Sequence, residues 1–244
     1  MPLLLADSLS PEGFGNLAAP LQVALFLGAL SFAISMLVCM TAFTRIIIVL
    51  SFVRRALTTN EIPPNPVIMG LAVFLTLFVM APTLENIYSK AVQPYLKAQE
   101  ETAALVDTAS QSPTSIAATF SLEDAWNVTS AELSAFMLHN TREQDLLLFL
   151  EMAGKSVPEQ WSDTPIHVLV PAFVVSELKT AFIMGFCIYI PFLLVDLVVS
   201  TLLMSLGMMM MTPAMVSTPC KLLLFVLADG WSLISRALVT SFGS

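Results

Sequence analysis

The sequence contains little charge for its size. Only 11% of its 244 residues are Asp, Glu, Lys or Arg, whereas 57% are hydrophobic. A soluble domain usually carries about 25% charged residues. A chain this poor in charge cannot cover a globule of its own size with polar surface. Lipid or closely packed partner subunits must therefore cover the excess apolar surface.

Basic residues and cysteines are also scarce. The net charge is −8, because the sequence has ten Lys and Arg residues but 18 Asp and Glu residues. No segment is basic enough to neutralise a run of phosphates, which argues against nucleic acid as a partner. Cys39, Cys187 and Cys220 lie in different apolar stretches, so we expect three free, buried, inert thiols. The N-terminal MPLLLADSLS has no basic residue and too short an apolar run to predict a signal peptide.

Motifs of catalytic and metal sites are missing as well. His139 and His167 stand alone, without Cys or acidic residues at ligand spacing, so no metal site is predicted. The sequence has neither a nucleophile elbow nor a phosphate-binding loop. We therefore expect a protein that is not an enzyme and binds no cofactor.

The charge that is present lies mainly in one segment. Residues 83–166 hold twelve acidic and four basic residues, whereas the rest of the chain holds six of each. The intervals 13–44, 62–84 and 180–220 are almost free of charge, and Asp196 is the only exception. A neutral apolar framework around one acidic insert predicts an integral membrane protein with a single sizeable water-exposed portion.

The predicted fold is all-α, with two apolar helical hairpins flanking an acidic, mostly helical, extracytoplasmic insert. Hydropathy alone predicts four transmembrane helices. The predicted segments are an N-terminal segment 1–20, a first apolar hairpin 21–82, the insert 83–166, and a second, kinked hairpin 167–244.

In the first hairpin, one helix is expected to run from Leu21 through Leu50. The prolines at 63, 64 and 66 break it, because proline lacks an amide donor and restricts the preceding residue. A second helix from Val67 is expected to end near Pro82. In the insert, three patterns predict helix starts, and Gly154 predicts a stop. The predicted starts are Ser121-x-x-Asp124, Thr129-x-x-Glu132 and Thr141-x-x-Gln144.

The second hairpin is the least ordinary part of the sequence. Residues 180–211 predict an apolar helix kinked at Pro191, and Leu222–Phe242 predict another. Between them, Gly207 and Pro213 bracket Met208, Met209, Met210 and Met211. Scattered methionines usually fill cores, but four consecutive residues cannot all face one side of a helix. These four methionines therefore have two interpretations: they fill a core, or they form a flexible collar that closes a pore.

Charges within apolar surroundings form a second group. Ionisable residues at membrane depth are costly and normally paired or functional. Structural ion pairs between helices or subunits are one interpretation, and a proton relay is the other. Three acids match three bases, which favours pairing. The six residues are Glu177, Lys179, Asp196, Lys221, Asp229 and Arg236.

Arg45, Arg54 and Arg55 lie between the first two apolar segments. Because basic residues favour the cytoplasmic side, they place this connection in the cytoplasm and the insert on the opposite, periplasmic side. Contact with anionic lipid headgroups or a cytoplasmic partner is an additional possibility.

Several motifs in register resemble the FliP family of type III export-gate subunits, which includes the injectisome SctR proteins. The similarity covers residues 21–97 and 130–242, and the isoleucine run favours the flagellar branch. The motifs are Phe43-Thr44-Arg45-Ile46-Ile47-Ile48-Val49, Pro63-Pro64-Asn65, Gly70-Leu71-Ala72, Met80-Ala81-Pro82, Phe136-Met137-Leu138, Thr141-Arg142-Glu143, Asp145, Ser176-Glu177-Leu178-Lys179-Thr180-Ala181-Phe182, Ile190-Pro191-Phe192, Val195-Asp196-Leu197, Leu206-Gly207-Met208-Met209-Met210 and Lys221 through Trp231.

This resemblance implies a pore-forming subunit at the flagellar basal body, in the bacterial inner membrane. It implies a ring of about five copies with FliQ and FliR, associated with FlhB and FlhA, which passes unfolded flagellar proteins. The family's methionine loop corresponds to Met208–Met210, extended here by Met211. Its characteristic charges correspond to Glu177, Lys179, Asp196 and Lys221. Much of the apolar surface would then contact sister chains rather than membrane lipid. An injectisome subunit is the main alternative, and a proton-coupled transporter or an assembly scaffold are the others.

Overall fold

The computed structural model describes residues 19–57, 63–98, 121–208 and 212–243. These residues are mainly helical and contain no strand, which confirms the predicted all-α class. The chain divides after Cys39 into two compact units. The first unit contains helix α1 (Ala19–Cys39), and the second contains every other helix.

Helix α2 (Phe43–Ala56) starts the second unit. The prediction of one helix from Leu21 through Leu50 is therefore wrong. The Thr41 hydroxyl accepts a hydrogen bond from the Phe43 N–H at 3.4 Å. A side chain that bonds to a nearby backbone N–H offers that N–H an alternative to its helical partner. This local bond accounts for the break between α1 and α2.

Helix α6 is the central element of the second unit, and α2, α4, α5 and α7 all pack against it. Its 40 residues correspond to about 60 Å of helix. The helices after α2 are α3 (Asn65–Ile87), α4 (Leu122–Asn140), α5 (Glu143–Met152), α6 (Ile166–Ser205), α7 (Ala214–Leu227) and α8 (Gly230–Thr240).

Helix α3 begins at Asn65, two residues before the predicted Val67, with Pro66 in its first turn, and it does not end near Pro82. It continues to Ile87 and then through a π-helical turn, Tyr88–Val92. Proline removes only one hydrogen bond, and packing beyond it holds the helix in place. Lys90 Nζ lies 2.6 Å from Glu132 Oε1 on α4, and Ala91 is buried.

The insert confirms two of the predicted helix signals. Ser121 and Asp124 form a reciprocal capping box at the start of α4. The N–H and the hydroxyl of Ser121 donate to the Asp124 carboxylate and hold the pKa of that carboxyl below its ordinary value. Gly154, at φ +65°, follows the end of α5.

The other two predicted capping residues in the insert, Thr129 and Thr141, are wrong, although the helix expected after Thr141 is present and begins at Glu143. Thr129 lies inside α4, where its hydroxyl donates to the Ala125 carbonyl at 2.7 Å. Thr141 closes α4 instead of starting α5, and its hydroxyl donates to the Met137 carbonyl at 2.6 Å. In both cases the hydroxyl bonds to the preceding turn, so it is not free to cap a following one.

The predicted single helix over Leu222–Phe242 is also wrong. Helices α7 and α8 are bent by 63° relative to each other. The bend lies at Asp229, which adopts the left-handed conformation (φ 49°, ψ 49°) that short polar side chains tolerate. The Phe225 ring occupies the space that a Cβ at Gly230 would need, so glycine is required beside the bend.

Two helical stretches among the described residues, Asn65–Ala98 and Ile166–Ser205, are long and apolar enough to cross a membrane. A third span exists if α7 and α8 count as one broken crossing, and a shorter apolar stretch covers Val23–Met36. The structure thus supports the membrane class, with fewer complete spans than the four that hydropathy predicts.

The packed interior of the second unit has two parts. One is built on α2, whose Ile46, Val49 and Val53 are fully buried. The other joins the insert to α6 through residues such as Met137 and Phe173.

The three cysteines have free thiols, as predicted, but Cys187 and Cys220 are exposed. The expectation of three buried thiols is therefore wrong for the single chain.

Candidate functional site

A buried ion pair joins α2 to α6. Arg45 Nε donates to Glu177 Oε2 at 2.7 Å, and its Nη2 donates to the other oxygen. Arg45 Nη1 also donates to the Ser241 carbonyl at 2.8 Å, and the guanidinium lies 3.8 Å from the centre of the Phe242 ring. Both charged residues are 3% exposed or less. This pair therefore holds three parts of the chain together: α2, α6 and the residues after α8.

A second group of polar contacts fastens the insert to α6. Lys179 forms an ion pair with Asp145, which is 2% exposed. The Arg142 N–H donates to the Ser176 hydroxyl at 3.0 Å, and its Nη2 donates to the Thr180 hydroxyl at 3.1 Å. Because these partners lie on one face of α6, the start of α5 is fixed against that helix.

A third ion pair joins α6 to α7. Lys221 Nζ donates to Asp196 Oδ2 at 2.5 Å. The Lys221 side chain is 2% exposed, whereas that of Asp196 is 38% exposed. Asp196 lies twelve residues before Met208, and Lys221 thirteen residues after it. The pair therefore links α6 to α7, the two helices that the methionine segment connects in the sequence.

The methionine segment begins at a fixed helix end. The Gly207 N–H donates to the Met204 carbonyl and the Met208 N–H donates to the Leu203 carbonyl, both at 3.1 Å. With Gly207 at φ +74°, this is a Schellman motif. Met208 is 45% exposed. Met209, Met210 and Met211 lie outside the described residues.

We expect Gly207→Ala to destabilise the protein by about 1–2 kcal/mol, because alanine is strained in the left-handed conformation. A Cβ there would meet no atom within 4 Å, so the effect is confined to the backbone. The measurement is the free energy of unfolding in mild detergent. Gly70→Ala is the matched control, because that position is equally open but lies inside α3, where alanine is preferred. Equal losses at both positions would contradict the role of the Schellman motif.

The remaining basic residues lie at the end of α2. Arg54 donates to the Asn65 side chain at the start of α3. Arg55 is exposed, and its guanidinium lies 5.9 Å from the centre of the Phe52 ring. Cations at the last turn of a helix interact favourably with its dipole. Their cytoplasmic location stays a prediction.

Sequence reasoning missed the role of Arg45, which it grouped with Arg54 and Arg55. The available signal was position: Arg45 lies among isoleucines inside an apolar run, whereas the other two precede a proline turn. Its partner Glu177 is 132 residues away in sequence, so no local pattern could have paired them. Among the described residues, no group of three or more potential ligands could hold a metal ion.

Comparison with known sequences extends over nearly the whole chain. The chain is 45% identical to the flagellar biosynthetic protein FliP of Bacillus subtilis (strain 168), over 97% of this chain and 96% of that protein. It is 44% identical to FliP of Pectobacterium carotovorum, over 96% of this chain and 83% of that protein. It is 42% identical to FliP of Buchnera aphidicola (strain APS), over 98% of this chain but only 58% of that protein. The family model described as "FliP family" matches residues 26–238, and the chain belongs to that family.

Proposed function

We propose that this chain is a ring-forming subunit of a flagellar protein-export gate, in which Met208–Met211 from several copies close a central pore. The relatives named above are flagellar biosynthetic proteins. The single observation that carries the proposal is the methionine hairpin, residues 192–227. Its two helices present apolar side chains on their surfaces, and four consecutive methionines connect them in the sequence.

The surface of the methionine hairpin needs a covering partner. Twelve large apolar residues along its two arms are exposed in the single chain. They are Leu193, Leu194, Leu197, Val198, Leu202, Met204, Leu206, Met215, Leu223, Leu224, Val226 and Leu227. Contiguous apolar patches of this kind mark protein or membrane contacts.

Sister chains cover this surface better than lipid does, because of Asp196. Its carboxylate is paired with Lys221 but remains 38% exposed. In hydrocarbon, a partly exposed charge is costly, whereas a neighbouring protein surface can complete its hydrogen bonds. We therefore place neighbouring copies, with FliQ and FliR, around the hairpin.

Methionine suits a gate for polypeptides. It is unbranched, flexible and polarizable, so it fills irregular gaps and adapts to a passing chain. Several copies of Met208–Met211 would meet by dispersion contacts, and a constriction lined with apolar side chains excludes water and ions. The Schellman motif fixes the end of α6 immediately before this segment in each copy.

The assembly that we propose is the one that the family resemblance implies. About five copies, together with FliQ and FliR, surround the pore in the inner membrane, and FlhB and FlhA adjoin them. The Arg54 and Arg55 end of α2 faces the cytoplasm, and the acidic insert faces the periplasm. Because the sequence has no phosphate-binding loop, the energy for export comes from other components, and this chain acts as a passive gate.

The pairing of charges favours this function over proton-coupled transport. Glu177, Lys179, Asp196 and Lys221 each have an oppositely charged partner within the chain. A transporter would need at least one of them to exchange protons during each cycle. Flagellar rather than injectisome export is favoured by the names of the relatives.

Replacing Met208–Met210 with alanine tests the gate. We expect leakage of small ions through the assembled ring while export of flagellar proteins persists, because the smaller side chains no longer fill the constriction. The measurement is the conductance of the purified complex in a planar bilayer. Met204→Ala and Met215→Ala are matched controls, since both are exposed methionines on the hairpin's helices. Unchanged conductance in the triple variant would contradict the gate.

A further inference from the structure

The methionines of the second unit fall into two classes by exposure. Met204, Met208 and Met215, which flank or open the methionine segment, are all exposed in the single chain. Met80 and Met137 are buried, one in each part of the packed interior. A small reagent dissolved in water therefore reaches the first class and not the second.

Hydrogen peroxide is such a reagent, and it oxidises the thioether of methionine. The sulfur lone pair attacks one peroxide oxygen, so that an S–O bond forms and the O–O bond breaks. A proton moves from the transferred oxygen to the departing one, which leaves as water. The sulfur is oxidised, the peroxide is reduced, and the product is methionine sulfoxide.

A sulfoxide changes the property on which the proposed gate depends. A constriction lined with apolar side chains stays closed to ions because water is excluded from it. Oxidation turns a flexible apolar side chain into a polar one whose oxygen accepts hydrogen bonds. Water that enters an oxidised constriction therefore gains hydrogen bonds that unmodified methionines do not offer.

We propose that Met208 is an oxidation site, at which hydrogen peroxide converts the closed gate into one that leaks ions. The inference rests on the proposed function, since it concerns the same constriction. The Met208 N–H donates to the Leu203 carbonyl in the Schellman motif, so the oxidised residue stays tied to the end of α6. A side chain that lines a pore also faces the lumen, where peroxide reaches it without dissociation of the ring.

Peroxide treatment of the purified ring tests the inference. We expect the conductance in a planar bilayer to rise by about tenfold or more, which corresponds to about 1.4 kcal/mol. A few new hydrogen bonds between water and sulfoxide oxygens are sufficient for such a change. Peptide mass spectrometry should find the added oxygen on Met208 and not on the buried Met137.

Two leucine variants that differ only at residue 208 locate the effect. Leucine has nearly the volume of methionine but no sulfur to oxidise. The triple variant Met209→Leu, Met210→Leu and Met211→Leu retains Met208, and its conductance should still rise with peroxide. Addition of Met208→Leu should abolish the rise, whatever the conductance of that variant before treatment. Met204→Leu with Met215→Leu is the matched control, because it removes exposed methionines on the two helices and should keep the response.

Three outcomes would overturn the inference and leave the gate function intact. They are oxidation of Met208 without a change in conductance, a rise in conductance before Met208 is oxidised, and an equal rise in the two leucine variants. The first two need only the unaltered ring, so the test remains decisive if a leucine variant does not assemble. Unchanged conductance after Met208–Met210 are replaced with alanine would instead overturn the proposed function, and this inference with it.

Discussion

Glu177→Ala should destabilise the protein by about 3–5 kcal/mol, because it leaves the Arg45 guanidinium buried without its carboxylate. Arg45 is 3% exposed and cannot turn to solvent in the native fold. Its remaining acceptors, the Ser241 carbonyl and hydroxyl, carry no formal charge. The free energy of unfolding in mild detergent measures this loss.

The double variant Arg45→Met with Glu177→Leu separates the cost of an unpaired charge from the value of the pair. Apolar replacement of a whole buried pair is often neutral or stabilising, so we expect the double variant to recover most of the loss. Lys90→Ala is the control, because it breaks an ion pair whose lysine is 57% exposed. Such exposed pairs contribute about 0–1 kcal/mol. Equal effects of Glu177→Ala and Lys90→Ala would contradict the structural importance of the buried pair.

Some helix ends in this chain are predictable from local signals, although the local patterns at Thr129 and Thr141 do not mark helix starts. Gly154 adopts positive φ after α5, and the Ser121 capping box starts α4. Each depends on residues within one turn of the helix end, so the sequence contains the whole signal. The predicted helix over residues 180–211 is wrong at both ends, because α6 begins at Ile166 and ends at Ser205, before the left-handed Gly207. The bend between α7 and α8 is different, because it lies at Asp229, a non-glycine residue in the left-handed conformation, and no periodicity in the apolar run marks that position.

The ion pairs of the candidate site were likewise only partly predictable from the sequence. Their presence in apolar segments was evident from composition, and rarity alone indicated that they would need partners. Which residue partners which depends on α6 packing between α2, α5 and α7. Arg45 with Glu177 and Lys179 with Asp145 are separated by 132 and 34 residues, so only the tertiary fold brings them together.

The ion pair between Asp196 and Lys221 should respond asymmetrically to loss of either partner. Asp196→Asn leaves the Lys221 ammonium buried with 2% exposure, whereas Lys221→Met leaves an aspartate that is 38% exposed. An isolated buried charge is far more costly than a solvated one. For the isolated chain in detergent we expect losses of about 3 kcal/mol for Asp196→Asn and about 1 kcal/mol for Lys221→Met.

Ring assembly should reduce this asymmetry, because neighbouring copies cover Asp196 in the proposed gate. In the ring, Lys221→Met then leaves a carboxylate that is desolvated and unpaired, so its cost rises towards that of Asp196→Asn. The measurement compares the unfolding of the single chain with the thermal dissociation of the ring for both variants. If Lys221→Met remains as mild in the ring as in the single chain, Asp196 is still hydrated after assembly. The methionine hairpin would then face water or lipid at this depth rather than a sister subunit.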